Sequence, residues 1–207
     1  RHGALPISIL HVALYGNTSD LDELTLYCKE NNLIFINDCA PALFGNFKNR
    51  PIASFGDFSA LSFFADKTIT TGEGGMITTN DAELHDKASI IVNQGKIPKD
   101  RIPVGNGVYQ NWQEYLGHNF RMTEFAAIMG LTQLRRLDDF VKDRAKTAKL
   151  YYEKLADVQG MELLPISDRV IHNYYKIYAF IDKTIDRIKM YKDLKNIGVS
   201  LGGMTYE

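Results

Sequence analysis

Short, almost wholly apolar runs, each ending in a polar residue, constrain the fold of this chain most strongly. The clearest run occupies 33–37 and is followed directly by Asp38. A strand that is apolar on both faces is typical of a parallel sheet covered by helices, because both of its faces are buried. The predicted strands are 8–14, 33–37, 58–64 and 75–79, and the predicted helices are about 20–31, capped by Ser19, and about 81–92. This βαβ rhythm predicts an α/β fold with a mainly parallel sheet covered by helices.

A lysine and a glycine-rich bend follow directly on the strand predicted at 58–64. The string Lys-Thr-Ile-Thr-Thr-Gly-Glu-Gly-Gly occupies 67–75, and Ser62 lies near the end of the strand. This arrangement suits an amine nucleophile at the edge of a sheet, beside a flat, phosphorylated cofactor. Apolar surroundings, which the preceding strand predicts for Lys67, would favour the neutral and nucleophilic form of its amine. The alternative is that Lys67 is an ordinary solvated surface charge.

A carboxylate is predicted at the same edge of the sheet. Ligands of open α/β sheets collect beyond the carboxyl ends of the strands, and Asp38 lies at such an end. It can pair there with the protonated ring nitrogen of pyridoxal phosphate, while a lysine holds the cofactor as a Schiff base. Taken alone, Asp38 equally suits a strand end or the cap of the next segment. The combination of Asp38 with Lys67 therefore carries the hypothesis of a pyridoxal phosphate site.

Five segments, in a fixed order, resemble one protein family. They are 12–16, 37–40, 54–57, 62–81 and 117–122, and they span most of residues 10–155. The chain resembles the DegT/DnrJ/EryC1/StrS sugar aminotransferases, and within them the perosamine-synthase-like C4 aminotransferases. The resemblance implies a PLP-dependent transferase fold of type I, like that of aspartate aminotransferase, with pyridoxal 5′-phosphate (PLP) as the cofactor.

The resemblance also implies roles for particular residues. Lys67 would be the Schiff-base lysine, Asp38 the partner of the ring nitrogen, and Ser62 a phosphate ligand. Asn119 would reach the phosphate bound mainly by the neighbouring subunit, which implies a homodimer with shared active sites; the alternative is that Asn119 caps the helix beginning near Thr123. Arg121 either pairs with a phosphate or carboxylate of the substrate or locks that helix start through a salt bridge.

The implied function is the transfer of an amino group from an amino acid, glutamate by resemblance, to a nucleotide-linked 4-keto-6-deoxy sugar for surface polysaccharide or glycan biosynthesis. A related dehydrating branch has a histidine in place of the lysine, and Lys67 argues against it. The competing hypothesis is an incomplete, catalytically inactive fragment that only binds the cofactor or sugar nucleotide, or serves as an assembly partner.

Three departures from the family pattern bear on these expectations. Pro41 occupies a position where the family usually has Gln or Glu near the cofactor ring, and its side chain can neither donate nor accept a hydrogen bond. Gln94 stands in a segment where the family often has histidine. The chain begins at Arg1, and neither the family's upstream phosphate-binding turn nor its stacking aromatic is recognisable, so the sequence is interpreted as the central half of an aminotransferase.

The second half of the chain predicts a long helical region and a second domain. Residues 1–158 are predicted to be part of the large cofactor-binding domain with its long connecting helix, and 159–207 part of a smaller, truncated α+β C-terminal domain. The apolar stripe of the helix favours a core position over an interface; its members are Phe125, Ile128, Met129, Leu131, Leu134, Leu137 and Val141. A substrate or dimer loop is predicted at 96–113. A strand is predicted at 174–181, where Tyr174, Tyr175 and Tyr178 either line a sugar site or simply suit a half-buried strand.

Composition restricts the partners and the compartment. The formal net charge of −1 offers no electrostatic case for binding nucleic acid or an acidic membrane. No run approaches the ~18 apolar residues of a spanning helix. The two cysteines, Cys28 and Cys39, predict reduced thiols in a cytoplasmic protein. The five histidines are scattered, so no metal site is predicted.

Overall fold

The described part of the chain contains nine short strands and five α-helices, together with two 3-10 helices and the connecting loops. The computed structural model describes residues 5–97 and 116–202. In chain order the strands are β1 (Ser8–Val12), β2 (Ile34–Asp38), β3 (Asn46–Phe47), β4 (Arg50–Pro51), β5 (Phe58–Ser62), β6 (Gly75–Thr78), β7 (Met161–Leu163), β8 (Val170–Ile171) and β9 (Ala179–Ile181). The helices are α1 (Leu21–Glu30), α2 (Ala82–Val92), α3 (Glu124–Leu134), α4 (Leu137–Leu155) and α5 (Arg187–Asn196).

A four-stranded sheet in the order β1-β2-β5-β6 carries the candidate site. The pairs β1–β2 and β2–β5 are parallel, whereas β6 runs antiparallel to β5. The predicted α/β fold with a mainly parallel sheet is confirmed. The antiparallel direction of β6 departs from the predicted βαβ rhythm, because the glycine-rich bend between β5 and β6 contains no crossover helix.

Aspartates start the first two helices. Asp20 accepts hydrogen bonds from the backbone amides of Asp22 and Glu23, each at 3.1 Å, and thereby caps α1. The prediction of Ser19 as this cap is therefore wrong by one residue. Asp81 caps α2 in the same way, with its Oδ1 2.8 Å from the amide of Glu83. These caps satisfy backbone donors that have no partner within the helix.

The main core lies where α1 and the loops after β2 pack on the sheet. Its buried residues are Ala13, Leu21, Cys28, Phe35, Cys39, Ala42, Phe47, Ile52, Phe55 and Val170. Strand β8 brings Val170 into this core by pairing antiparallel with β3. The segment that follows β8 is thereby held beside the loop that follows β2.

Helix α3 does not take the core position that its apolar stripe predicted. None of its residues is buried, and the side chains of Phe125 and Ile128 are 86% and 62% exposed. The helix packs on the glycine-rich loop through Gly130, and Gln133 Oε1 accepts a hydrogen bond from the amide of Thr70 at 2.9 Å. The core prediction is wrong for α3, because periodicity defines an apolar face without specifying which element covers it. Leu137 of α4, at the end of the same stripe, packs against the buried cluster of Leu43, Phe63 and Ile69. The predicted long helix is also divided, since α3 ends at Leu134 and α4 begins at Leu137.

The carboxyl-terminal region is less regular than predicted. The strand expected at 174–181 is reduced to β9, and Tyr174 has a positive φ of 48°, which a strand does not contain. Strand β9 pairs antiparallel with β7, and α5 ends before Gly198, whose φ of 84° is typical of a helix stop.

The chain separates into two compact units, Arg1–Ala145 with Ile166–Lys176, and Lys146–Pro165 with Ile177–Glu207. The domain boundary expected after residue 158 stays a prediction.

Most of the loop predicted at 96–113 lies outside the described residues. In the described ranges no helix combines the length and apolarity needed to cross a bilayer, and no cluster of three or more potential metal ligands occurs.

Candidate active site

The carboxyl ends of three parallel strands meet at one edge of the sheet. The backbone register places Val12, Asp38 and Ala60 side by side on β1, β2 and β5. Ser62 lies two residues beyond Ala60, at the end of β5. The structure therefore brings Asp38 and Ser62 to the same edge, which is where ligands bind in open α/β sheets.

Asp38 and Ser62 both retain the capacity to bind a ligand. Asp38 is half-buried, and its Oδ1 accepts a hydrogen bond from the amide of Ala40 at 2.9 Å. No described residue donates a hydrogen bond to its Oδ2, which remains available as an acceptor. Ser62 Oγ accepts from the amide of Phe64 at 3.3 Å, which leaves the hydroxyl proton available for donation.

Backbone hydrogen bonds close the loop that carries Lys67. The amide of Phe63 donates to the carbonyl of Gly74, and the amide of Thr71 donates to the carbonyl of Phe63, both at 2.9 Å. The amide of Lys67 donates to the carbonyl of Phe64 at 3.0 Å. Because the two ends of the loop are joined, Lys67 is presented from a defined turn at the end of β5.

The surroundings of the Lys67 amine are more polar than predicted. The side chain is half-buried, and Nζ donates a hydrogen bond to the phenol oxygen of Tyr175 at 3.2 Å. Nζ also lies 4.4 Å from the centroid of the Tyr175 ring. The hydroxyl of Tyr175 donates to Asp66 Oδ2 at 2.9 Å. Apolar surroundings were expected because β5 is apolar, but the chain turns after β5 and meets a tyrosine that is distant in sequence.

A buried asparagine holds the segment that contains Tyr175. Asn173 Nδ2 donates to the carbonyls of Pro41 and Leu43, at 3.0 and 3.1 Å, and its Oδ1 accepts from the amide of Tyr175 at 3.2 Å. Pro41, whose side chain departs from the family pattern, thus contributes a backbone acceptor. From helix α4, Arg144 Nη1 donates to the carbonyls of Tyr174 and Tyr175, at 3.2 and 3.4 Å.

Gly16, shortly after β1, permits close packing against His172 and Asn173. Gly16 has a φ of 89°, and a Cβ atom there would lie 2.8 Å from His172 Nε2 and would clash with Asn173 Oδ1. Burial lowers the pKa of His172, and its Nδ1 accepts a hydrogen bond from the amide of Tyr174 at 2.8 Å. Burial also raises the pKa of the Cys39 thiol, just after β2, to about 12, which makes this cysteine a poor nucleophile.

Asn119 and Arg121 both pair with Asn93, the residue that follows α2. Asn119 is exposed and forms an antiparallel bridge with Asn93, just after α2. Arg121 Nη1 donates to Asn93 Oδ1 at 2.7 Å, and no carboxylate of a described residue pairs with it. In 5–97 and 116–202, neither residue forms a hydrogen bond with Lys67, Asp38 or Ser62. Asn119 is not the cap of helix α3, which was the alternative role considered for it. Thr123 caps this helix, and its Oγ1 accepts a hydrogen bond from the amide of Ala126 at 3.2 Å.

An open cavity of about 380 Å³ lies beside Thr68. Its other lining residues are Gln133, Arg136, Phe140, Asp143 and Arg144. Thr68 Oγ1 is buried and has no hydrogen-bond partner among the described residues. This cavity and the roles of Asp66 and Asn173 were not predictable from the sequence, because their contacts join segments that are far apart along the chain. The one sequence signal was the group of tyrosines at 174–178, which indicated a possible role of this segment in binding.

A comparison with protein families decides the membership of the chain. The model of the DegT/DnrJ/EryC1/StrS aminotransferase family matches residues 7–205. The chain belongs to this family. Membership confirms the resemblance seen in the sequence, the α/β aminotransferase fold and PLP as the cofactor.

Curated relatives and solved structures agree with this assignment. The chain is 36% identical to GDP-perosamine synthase of Escherichia coli O157:H7, over 82% of this chain and 44% of the relative. It is 31% identical to dTDP-4-amino-4,6-dideoxy-D-glucose transaminase of Shigella dysenteriae, over 91% of this chain and 49% of the relative. The crystal structure of the aminotransferase from Psychrobacter cryohalolentis matches with a TM-score of 0.83 and 31% identity, over 92% of this chain and 52% of that one. The chain thus spans about half the length of the proteins it matches.

Proposed function

We propose that this chain belongs to a PLP-dependent sugar aminotransferase, which transfers an amino group from an amino acid to a nucleotide-linked 4-keto-6-deoxy sugar. The observation that supports the proposal is that Lys67 belongs to the closed loop after β5, which leaves the sheet at the edge that Asp38 and Ser62 share. Similarity to a transaminase named for a 4-amino-4,6-dideoxy sugar supports the position of the keto group. Glutamate is the proposed donor, and surface polysaccharide or glycan biosynthesis the proposed role.

The residues at the sheet edge fit the cofactor chemically. Asp38 Oδ2, which receives no hydrogen bond from a described residue, would accept one from the ring nitrogen of PLP. The Ser62 hydroxyl would donate to a phosphate oxygen, and the Lys67 amine would bind the cofactor covalently. When bound, PLP supplies an electron sink that stabilises negative charge on the neighbouring carbon.

The protein side chains then handle protons and charge. Lys67 Nζ, released when the amino substrate binds, would take a proton from the substrate carbon that bears the amino nitrogen and would return it to the carbon on the other side of that nitrogen, a 1,3-proton shift. The Asp38 carboxylate would place a hydrogen-bond acceptor beside the ring nitrogen and so favour the protonated ring. Its half-buried position strengthens this interaction, because the local dielectric is lower than that of water.

An assay of the purified chain tests this function. After incubation with PLP and borohydride reduction, the mass of the cofactor is expected on the peptide that contains Lys67. Glutamate should be converted to its keto acid only when a GDP- or dTDP-linked 4-keto-6-deoxy sugar is supplied, and the 3-keto isomer should fail. Cofactor uptake without any turnover would instead support the alternative of an inactive binding or assembly module. No uptake at Lys67 would reject the proposed site.

A homodimer with shared active sites is part of the same proposal. Asn119 is exposed, and Phe120 and Phe125 beside it are 67% and 86% exposed. Two copies of a surface this apolar are expected to associate. An isologous interface repeats each contact twice, so one segment can complete both sites. A cytoplasmic location also belongs to the proposal, and two free, buried cysteines support it.

Mixing two inactive variants tests the shared site. Lys67→Ala and Asn119→Asp chains should each be inactive, whereas mixed dimers should recover up to about a quarter of wild-type activity, because half of the chains pair as heterodimers with one undamaged site. Asn196→Asp, at the exposed last residue of α5, is the matched control and should keep full activity. No recovery after proven subunit exchange would mean that Asn119 acts within its own chain.

A further inference from the structure

Tyr175 links the Lys67 amine to a carboxylate. Its hydroxyl donates its only proton to Asp66 Oδ2 at 2.9 Å, so the phenol oxygen presents lone pairs to Lys67 Nζ, 3.2 Å away. The ring lies beneath the same amine, with its centroid 4.4 Å from Nζ. The hydroxyl and the ring face therefore hold one nitrogen together.

The backbone of Tyr175 is fixed from two directions. Asn173, which is 1% exposed, joins the amide of Tyr175 to the carbonyls of Pro41 and Leu43 in the loop after Asp38. Arg144 binds the carbonyl of Tyr175 from helix α4. A buried amide with three hydrogen bonds leaves little freedom for the segment. Tyr175 is thus fixed relative to the same sheet edge that carries Asp38.

We propose that Tyr175 is a positioning residue, which holds the Lys67 amine at the sheet edge whenever this amine is not bound to the cofactor. This inference rests on the proposed function, in which Lys67 must be released, act on a proton and return to the same place. Asp66 orients the phenol by accepting its proton. Lys176, with Nζ 3.8 Å from Asp66 Oδ2, balances the charge of that carboxylate.

The Tyr175 hydroxyl is expected to affect the reactivity of Lys67 and not the stability of the fold. Asp66 is exposed, and hydrogen bonds or ion pairs to exposed carboxylates contribute little to folding. Removing the hydroxyl of Tyr175 should therefore leave the fold intact and change the behaviour of one lysine. Tyr175→Phe keeps the ring beneath Lys67 and deletes only the hydroxyl. Tyr174→Phe is the matched control, since it deletes the hydroxyl of the adjacent tyrosine.

The first measurement does not depend on the cofactor. Chains free of PLP are methylated with formaldehyde and cyanoborohydride, and the rate at Lys67 is compared with that at exposed Lys29 by peptide mass spectrometry. Because the amine must leave its hydrogen bond before it attacks a carbonyl carbon, the Lys67 rate should rise about threefold or more in Tyr175→Phe. It should stay unchanged in Tyr174→Phe. An equal rate in wild type and Tyr175→Phe overturns the inference.

The second measurement uses the protein loaded with PLP. In Tyr175→Phe, kcat should fall about tenfold while KM for the sugar stays within about twofold, since the hydroxyl acts on the amine and not on sugar binding. A faster methylation with an unchanged kcat overturns the positioning role. Absence of PLP uptake by the wild type overturns the proposed function, and the methylation rates then decide by themselves whether Tyr175 holds Lys67.

Discussion

Replacing Lys67 by alanine should abolish covalent retention of PLP and reduce transamination to the background rate. The amine is both the group that binds the cofactor and the base that moves the proton, and alanine supplies neither function. The free energy of unfolding should change by only about 1 kcal/mol or less, because Lys67 is half-buried and its ring contact with Tyr175 is partly solvated. Borohydride reduction, peptide mass spectrometry and urea unfolding provide the three measurements.

Two control variants test whether the loss of activity comes from the missing reactive amine or only from the missing positive charge. Lys67→Arg keeps a cation at the position but cannot bind the cofactor covalently, so it should be as inactive as Lys67→Ala. Lys29→Ala removes an exposed lysine from the last turn of α1 and should keep full activity. Full turnover by Lys67→Ala would end the assignment of this residue as the catalytic amine.

Replacing Asp38 by alanine should preserve covalent uptake of PLP and lower kcat by roughly 10²- to 10³-fold, the loss typical of removing one electrostatic stabiliser in an active site. Without the carboxylate the ring nitrogen loses its proton more readily, and the cofactor becomes a poorer electron sink. Steady-state kinetics, with the bound cofactor quantified, measure this effect separately from cofactor loss.

Asp38→Asn distinguishes charge from local structure. The asparagine Oδ1 can still accept the hydrogen bond that Asp38 Oδ1 receives from the amide of Ala40, so the loop after β2 should keep its conformation. The variant nevertheless lacks the negative charge and should be nearly as slow as Asp38→Ala. Asp57→Asn retains the hydrogen bond from the amide of Phe35 and should remain close to wild type. Wild-type kinetics in both Asp38 variants would assign the role to another group.

Elements were predictable where the local pattern and the tertiary environment agree. Strand β2 reads as a buried strand because its apolar run is short and ends in polar residues, and the structure places it between two neighbours. Helix α3 shows the opposite case. Its residues are apolar and it contacts the glycine-rich loop through Gly130 and Gln133, but its large apolar side chains stay exposed. Tyr174 likewise suits a strand by residue type, yet contacts around Asn173 hold it at a positive φ.

The sequence by itself determined the α/β fold, the family and the segment that carries Lys67. These depend on short-range patterns, in which apolar runs, a lysine and glycines follow one another within a few residues. Asp38 and Ser62 were also predictable as neighbours, because the carboxyl ends of parallel strands meet at one edge. Only the tertiary structure decided the partners of the Lys67 amine. Tyr175 is 108 residues away in sequence. It reaches the amine because Asn173 joins its segment to the loop after Asp38, a contact between distant segments that no local pattern encodes.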